Sequence, residues 1–242
     1  MIFKQVYSKS LTIITGILVI ALFLLVSCGW SDVVYFPLNK GKYWRYTMTY
    51  QTMDGHFKGV YAVENLGQEK INGETVYVRQ LLDGSYDYLQ VNEKGIYLKS
   101  REKTIDFSTK HTEAGRYIFQ FPLQIGNKWN EEIVTKALIK TGPPQKTEFH
   151  IVAKIPVEVT IESMTDTIKV PAGTFTNCMR ITMKGSDFVN AGNYVGMTLV
   201  RLNETNWYAP DVGLVKSVRE ETTKHRALDK GEIIIELEKY RS

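Results

Sequence analysis

Apolar and polar positions follow two regimes along the chain. From Leu11 to Val26 the sequence is apolar except for Thr12, Thr15 and Gly16. Beyond residue 30 no segment holds a 3.6-residue apolar period, and alternation takes over. Residues 43–51 place Trp44, Tyr46, Met48 and Tyr50 on one face of an extended strand. Similar patterns, rich in β-branched and aromatic residues, cover 74–81, 86–91, 96–100, 149–155, 157–161, 179–183, 197–202, 214–218 and 233–237. Between them lie turn signals: Asp54-Gly55, Asn72-Gly73, Asp83-Gly84, Glu93-Lys94-Gly95 and Asp229-Lys230-Gly231. This pattern predicts an all-β domain over residues 33–242, a strongly curled antiparallel meander of the open-barrel or half-barrel kind. A flat sheet of that size would expose its edges, so it must close or be covered. Thr141-Gly142-Pro143-Pro144-Gln145 interrupts the pattern and reads as one loop within the domain.

A repeat is embedded in the alternation. Phe36-Pro37-Leu38-Asn39-Lys40-Gly41-Lys42-Tyr43-Trp44 recurs as Phe121-Pro122-Leu123-Gln124-Ile125-Gly126-Asn127-Lys128-Trp129. The shared pattern is F-P-L-x-x-G-x-x-W, and a looser echo runs from Trp207 to Val215. Proline ends strand pairing, glycine permits a tight turn, and tryptophan starts the next strand facing inward. The copies therefore mark two pseudo-equivalent halves. Trp44, Tyr46, Trp129 and Trp207 are candidate packing anchors, and the same aromatics are candidate ligand-stacking residues.

The first 27 residues stand apart from the fold. Lys4 and Lys9 are their only charges, and Leu25-Val26-Ser27-Cys28 closes the apolar run. This end resembles the signal peptide and lipobox of bacterial lipoproteins. The resemblance implies cleavage between Ser27 and Cys28, and acylation of Cys28 by diacylglyceryl and palmitate-type chains. Each buried CH₂ contributes about 0.8 kcal/mol, and stable anchoring takes more than one chain. An uncleaved signal anchor is the alternative, although the stretch is short for a spanning helix of about 20 residues. Residues 28–32 then form a tether too short to hold the domain far from a membrane. A second resemblance rests on F-P-L-x-x-G-x-x-W, Val170-Pro171-Ala172-Gly173-Thr174-Phe175 and the 207–215 segment. Together they resemble uncharacterised bacterial envelope lipoproteins, which implies a β domain in the cell envelope. Gly29 is not the Asp that retains enterobacterial lipoproteins at the inner membrane. In a similar diderm this implies the outer membrane, on its periplasmic side or surface; otherwise the outer face of the cytoplasmic membrane is implied.

Composition narrows the chemistry. Lys and Arg total 30 against 26 Asp and Glu, too even for a nucleic-acid partner to be read from charge. Two cysteines exclude a disulfide scaffold and a cysteine zinc module, and Cys178 reads as a small buried hydrophobe. His56, His111, His150 and His225 are scattered without ligand spacing, and Asp54 with His56 is explained by a turn. No nucleophile elbow, S-x-x-K, H-E-x-x-H or P-loop is present. Glu131-Glu132 and Glu220-Glu221 read as solvated edges, and Tyr86 and Tyr88 as core fillers first, with cavity lining and sugar stacking as the alternatives. No cofactor, metal or catalytic residue is expected. The expected function is a non-enzymatic, membrane-anchored envelope lipoprotein that binds or assembles with a protein, glycan or lipid. A carrier or sensor of an apolar ligand inside the curled sheet is the second expectation. A hydrolase with an unrecognised site is the third.

Overall fold

The computed structural model describes residues 34–102, 115–142, 147–192 and 195–241. Ser27, Cys28, the tether, His111 and Pro143-Pro144 lie outside the described residues. From Val34 onward the chain forms one compact unit. Its strands are β1 (Tyr43–Thr52), β2 (Gly55–Ile71), β3 (Glu74–Leu81), β4 (Tyr86–Asn92), β5 (Gly95–Glu102), β6 (Arg116–Gln120) and β7 (Lys128–Val134). Then come β8 (Ile139–Gly142), β9 (Thr147–His150), β10 (Lys154–Val170), β11 (Gly173–Asn190), β12 (Met197–Ala209), β13 (Gly213–Thr223) and β14 (Lys230–Arg241). A 3-10 turn, Arg226–Leu228, precedes β14. Among the described residues no helix is long and apolar enough to cross a membrane.

Twelve strands make one antiparallel sheet in the order β6-β5-β4-β3-β2-β1-β14-β13-β12-β11-β10-β7, and β8 pairs with β9. The all-β, strongly curled architecture expected from the alternation is thus present as a nearly closed barrel. Register shifts interrupt six ladders, including those at Arg45/Tyr46, Asn65/Gly67 and Trp207/Tyr208. Such bulges bend a strand and increase its twist, which is how a long meander curls. The edges β6 and β7 meet at a seam, where the Tyr117 amide donates to Glu131 Oε1 at 2.9 Å. A side chain there satisfies an edge amide that no backbone ladder reaches.

The sheet is two meanders. Strands β1 to β6 run in sequence order, and β7 with β10 to β14 forms the other half. One copy of F-P-L-x-x-G-x-x-W leads into the first strand of each half. Gly41 and Gly126 have φ of 83° and 86°, the left-handed region that glycine alone enters cheaply. Gly41 N donates to Asn65 O on β2, and Asn65 N returns a bond to Lys42 O. Gly126 N donates to Ile161 O on β10, and Ile161 N returns a bond to Asn127 O. Both tryptophans then occupy the second position of their strand.

Three readings change. Residues 149–155 are not one strand: β9 ends at His150, and residues 151–153 bond instead to Thr135 and Leu138. Tyr86 and Tyr88 are half-buried partners of Gln80 and Glu102, because the alternation turns Asp87 rather than either tyrosine inward. Glu221 is fully buried, not a solvated edge, because its carboxylate holds the chain that crosses the barrel end.

Candidate binding cavity

The inner face of β1 carries Trp44, Tyr46, Met48 and Tyr50, and all four line a cavity of about 390 Å³ inside the barrel. One end is plugged. Residues 34–42 cross it, with Asp211 N bonded to Val34 O and Asn65 Nδ2 to Pro37 O at 2.9 Å. Phe36 packs edge-on to Phe119, which packs edge-on to Tyr208. The three motifs singled out in the sequence converge here. Trp44 Nε1 donates to Val212 O at 2.6 Å and the Tyr46 hydroxyl to Leu214 O at 3.1 Å. Val170 and Gly173 close the β10–β11 turn, Ala172 N bonds Leu237 O, and the Tyr35 hydroxyl bonds Asn177 O.

At the other end, residues 135–138 leave β7 and reach β13. The Lys136 and Ala137 amides donate to the Glu221 carboxylate at 2.8–3.0 Å. Ala137 O lies so near the start of β14 that a Cβ on Gly231 would sit 1.8 Å from it. Burial pushes the Glu221 carboxyl up, and the opposing pull of Arg219 and the two amides is smaller.

The cavity wall is charged. Arg101 grips Asp87 at 2.5 and 2.8 Å. Arg219, 7% exposed, donates to Glu204 at 2.6 Å, to Val134 O at 3.0 Å and to Glu221 at 3.4 Å. Burial alone would raise the Glu204 carboxyl, but Arg219 and the Asn206 amide hold it below the ordinary range. Arg79 donates to Asn65 Oδ1 at 2.8 Å and Pro37 O at 2.9 Å, with its guanidinium 3.9 Å above the Phe36 ring. Burial lowers its pKa, though it stays a cation. Burial also raises the Tyr46 and Tyr208 hydroxyls, so both are neutral. Arg116 Nε is buried with no acceptor.

The sequence-predicted residues divide between places. Trp44 and Tyr46 line the cavity and anchor its plugged end. Trp129 lies in the main core with Nε1 unpartnered, opposite Val159. Trp207 is half-buried, with Nε1 donating to Asp166 Oδ2 at 3.0 Å outside the cavity. Cys178 is fully buried and its thiol is pushed up to about 11, first by burial and then by Asp166. His56 and His150 are exposed and His225 is half-buried. Among the described residues no three His, Cys, Asp or Glu side chains gather around a metal position. The cavity charges Arg79, Asp87, Arg101, Arg116, Glu204 and Arg219 escaped the sequence reading, and Glu221, beside Arg219, was read as a solvated edge. Ser217, Arg219, Glu221 and Thr223 share one parity on β13, and polar residues of one parity read as a solvent face.

No family model matches the chain, and no curated protein matches it. Among solved structures it is similar to a protein from Bacteroides fragilis assigned as exported, with a YmcC-like fold. The identity is 13%, 87% of this chain and 100% of that chain are covered, and the TM-score is 0.38. A protein from Parabacteroides distasonis assigned as a lipoprotein is 12% identical, with 86% and 99% covered and a TM-score of 0.37.

Proposed function

We propose that this chain is a lipid-anchored envelope protein whose β-barrel is a binding module rather than an enzyme. The observation that carries the reading is the lipobox Leu25-Val26-Ser27-Cys28, placed directly before a compact barrel that contains a lined cavity. Two of the three acids that line that cavity, Asp83, Asp87 and Glu204, support binding over acid–base chemistry. Asp87 and Glu204 are each neutralised by an arginine, and a general acid or base needs a carboxyl free to exchange its proton. The anchor places the module at the outer membrane of a diderm, or on the outer face of the cytoplasmic membrane of a monoderm.

Labelling with an alkyne-tagged palmitate tests the anchor. Wild type should take the label and run at the processed mass, whereas Cys28→Ala should remain an unlabelled precursor. A Cys28→Ala chain that is still cut after Ser27 and still lipidated would overturn the reading.

A further inference from the structure

We propose that the barrel interior binds a small organic anion, a carboxylate or phosphate on an apolar or aromatic body, with Arg116 receiving the anionic group. The inference rests on the reading of the domain as a binding module. Four arginines line the cavity, and three are accounted for by protein partners. Arg101 has Asp87, Arg219 has Glu204 and Glu221, and Arg79 has two neutral oxygens and the Phe36 ring. Arg116 differs from all of them. Its Nε is buried without an acceptor, and no ion pair joins it to a described carboxylate.

More than nine in ten buried polar groups in folded proteins are paired, and a guanidinium cannot shed its charge. A carboxylate or phosphate presents paired oxygens that fit the guanidinium fork. The charge of Arg116 acts on Glu204 and Tyr208, so these groups share one space. The Tyr208 hydroxyl has no hydrogen-bond partner among the described residues and is available to the same ligand. Met48, Ile118, Met183 and Ile235 supply apolar wall for the rest of the molecule. The volume falls within the range of small-molecule sites. A purely apolar guest would strip water from Arg116 and return no partner, which is costly.

The test is calorimetric titration of the full-length chain in nonionic detergent. The probes are phenyl phosphate, benzoate and the neutral benzyl alcohol, and the proteins are wild type, Arg116→Gln and Arg201→Gln. At least one anion should bind wild type ten times more tightly than benzyl alcohol, and the tighter anion tells phosphate from carboxylate. Arg116→Gln should weaken that anion at least tenfold without lowering the melting temperature, since its side chain gives up no hydrogen bond or ion pair to a described residue and acts on Glu131, Glu204 and Tyr208 only through its charge. Arg201 is exposed, so Arg201→Gln should leave affinity unchanged. The proposal is overturned if neither anion binds, if benzyl alcohol binds as well, or if the two variants behave alike. An Arg116→Gln chain that unfolds also overturns it, by making Arg116 structural. Cys28 labelling reads the anchor separately, so a flat titration with intact labelling removes this inference alone.

Discussion

Glu204 and Glu221 flank one guanidinium and titrate in opposite directions. Glu204 has a lowered folded pKa, because the pull of Arg219 and its hydrogen bonds exceeds the burial that opposes them. Its contribution to stability is complete above the ordinary carboxylate value and is lost as pH falls through the lowered folded value. Glu221 has a raised folded pKa, so its contribution declines as pH rises from the ordinary value through the raised one. Glu204→Gln should therefore flatten the acid limb of a melting-temperature profile, and an unchanged limb would show that Arg219 does not hold this carboxylate. The tryptophans offer a second comparison at the same scale. Truncating either Trp44 or Trp129 to Ala should cost about 3–5 kcal/mol. Their Phe variants should differ. Trp44→Phe removes the bond to Val212 O and leaves a half-buried carbonyl without that donor, a loss of about 1 kcal/mol. Trp129 Nε1 has no partner to lose, so Trp129→Phe should cost less. Urea midpoints of the four variants decide the matter, and equal Phe penalties would mean the Trp44 bond contributes nothing.

Elements in this molecule are pinned by contacts that their own sequence does not announce. Residues 135–138 cross the barrel end because Glu221, on a distant strand, accepts their amides, and because Gly231 leaves room for Ala137 O. Gly231→Ala should push that crossing away and cost about 1–3 kcal/mol through overpacking. Hydrogen exchange should show the loss first at the Lys136 and Ala137 amides; protection unchanged there would contradict the close approach. The seam between β6 and β7 is held differently. Glu131, half-buried, takes the Tyr117 amide in place of a backbone carbonyl. Glu131→Ala should raise exchange along β6 while leaving β1 and β14 protected, because only the seam loses a bond.

The whole molecule joins its halves through the last strand. β14 pairs with β1 on one side and β13 on the other, so the C-terminal residues complete the middle of the sheet. A chain ending at Asp229 should leave both meanders with a bare central edge and no closed core. It should be degraded by protease under conditions that spare the full chain. Survival of that truncated form as a folded domain would mean that each half is stable alone.

Period-2 alternation and glycine turns were enough to read an all-β meander, since side-chain direction along a strand depends only on residue parity. The repeat was legible for a local reason as well: the positive-φ glycine and the following tryptophan set the same turn into a strand at Gly41 and Gly126. Composition and spacing also placed Cys178 as a buried hydrophobe. Parity, however, does not say which face is inside. Glu221 read as a solvated edge, yet its row, Ser217, Arg219, Glu221 and Thr223, faces the interior because closure of the sheet turned that parity inward. The salt bridges of Arg101 with Asp87 and of Arg219 with Glu204 join facing residues of neighbouring hairpin strands, whereas the hold of Glu221 on the end-crossing segment and the approach of Arg116 to Glu204 and Tyr208 depend on strands far apart in sequence. Only the closed barrel brings those strands together, and with them the charged cavity.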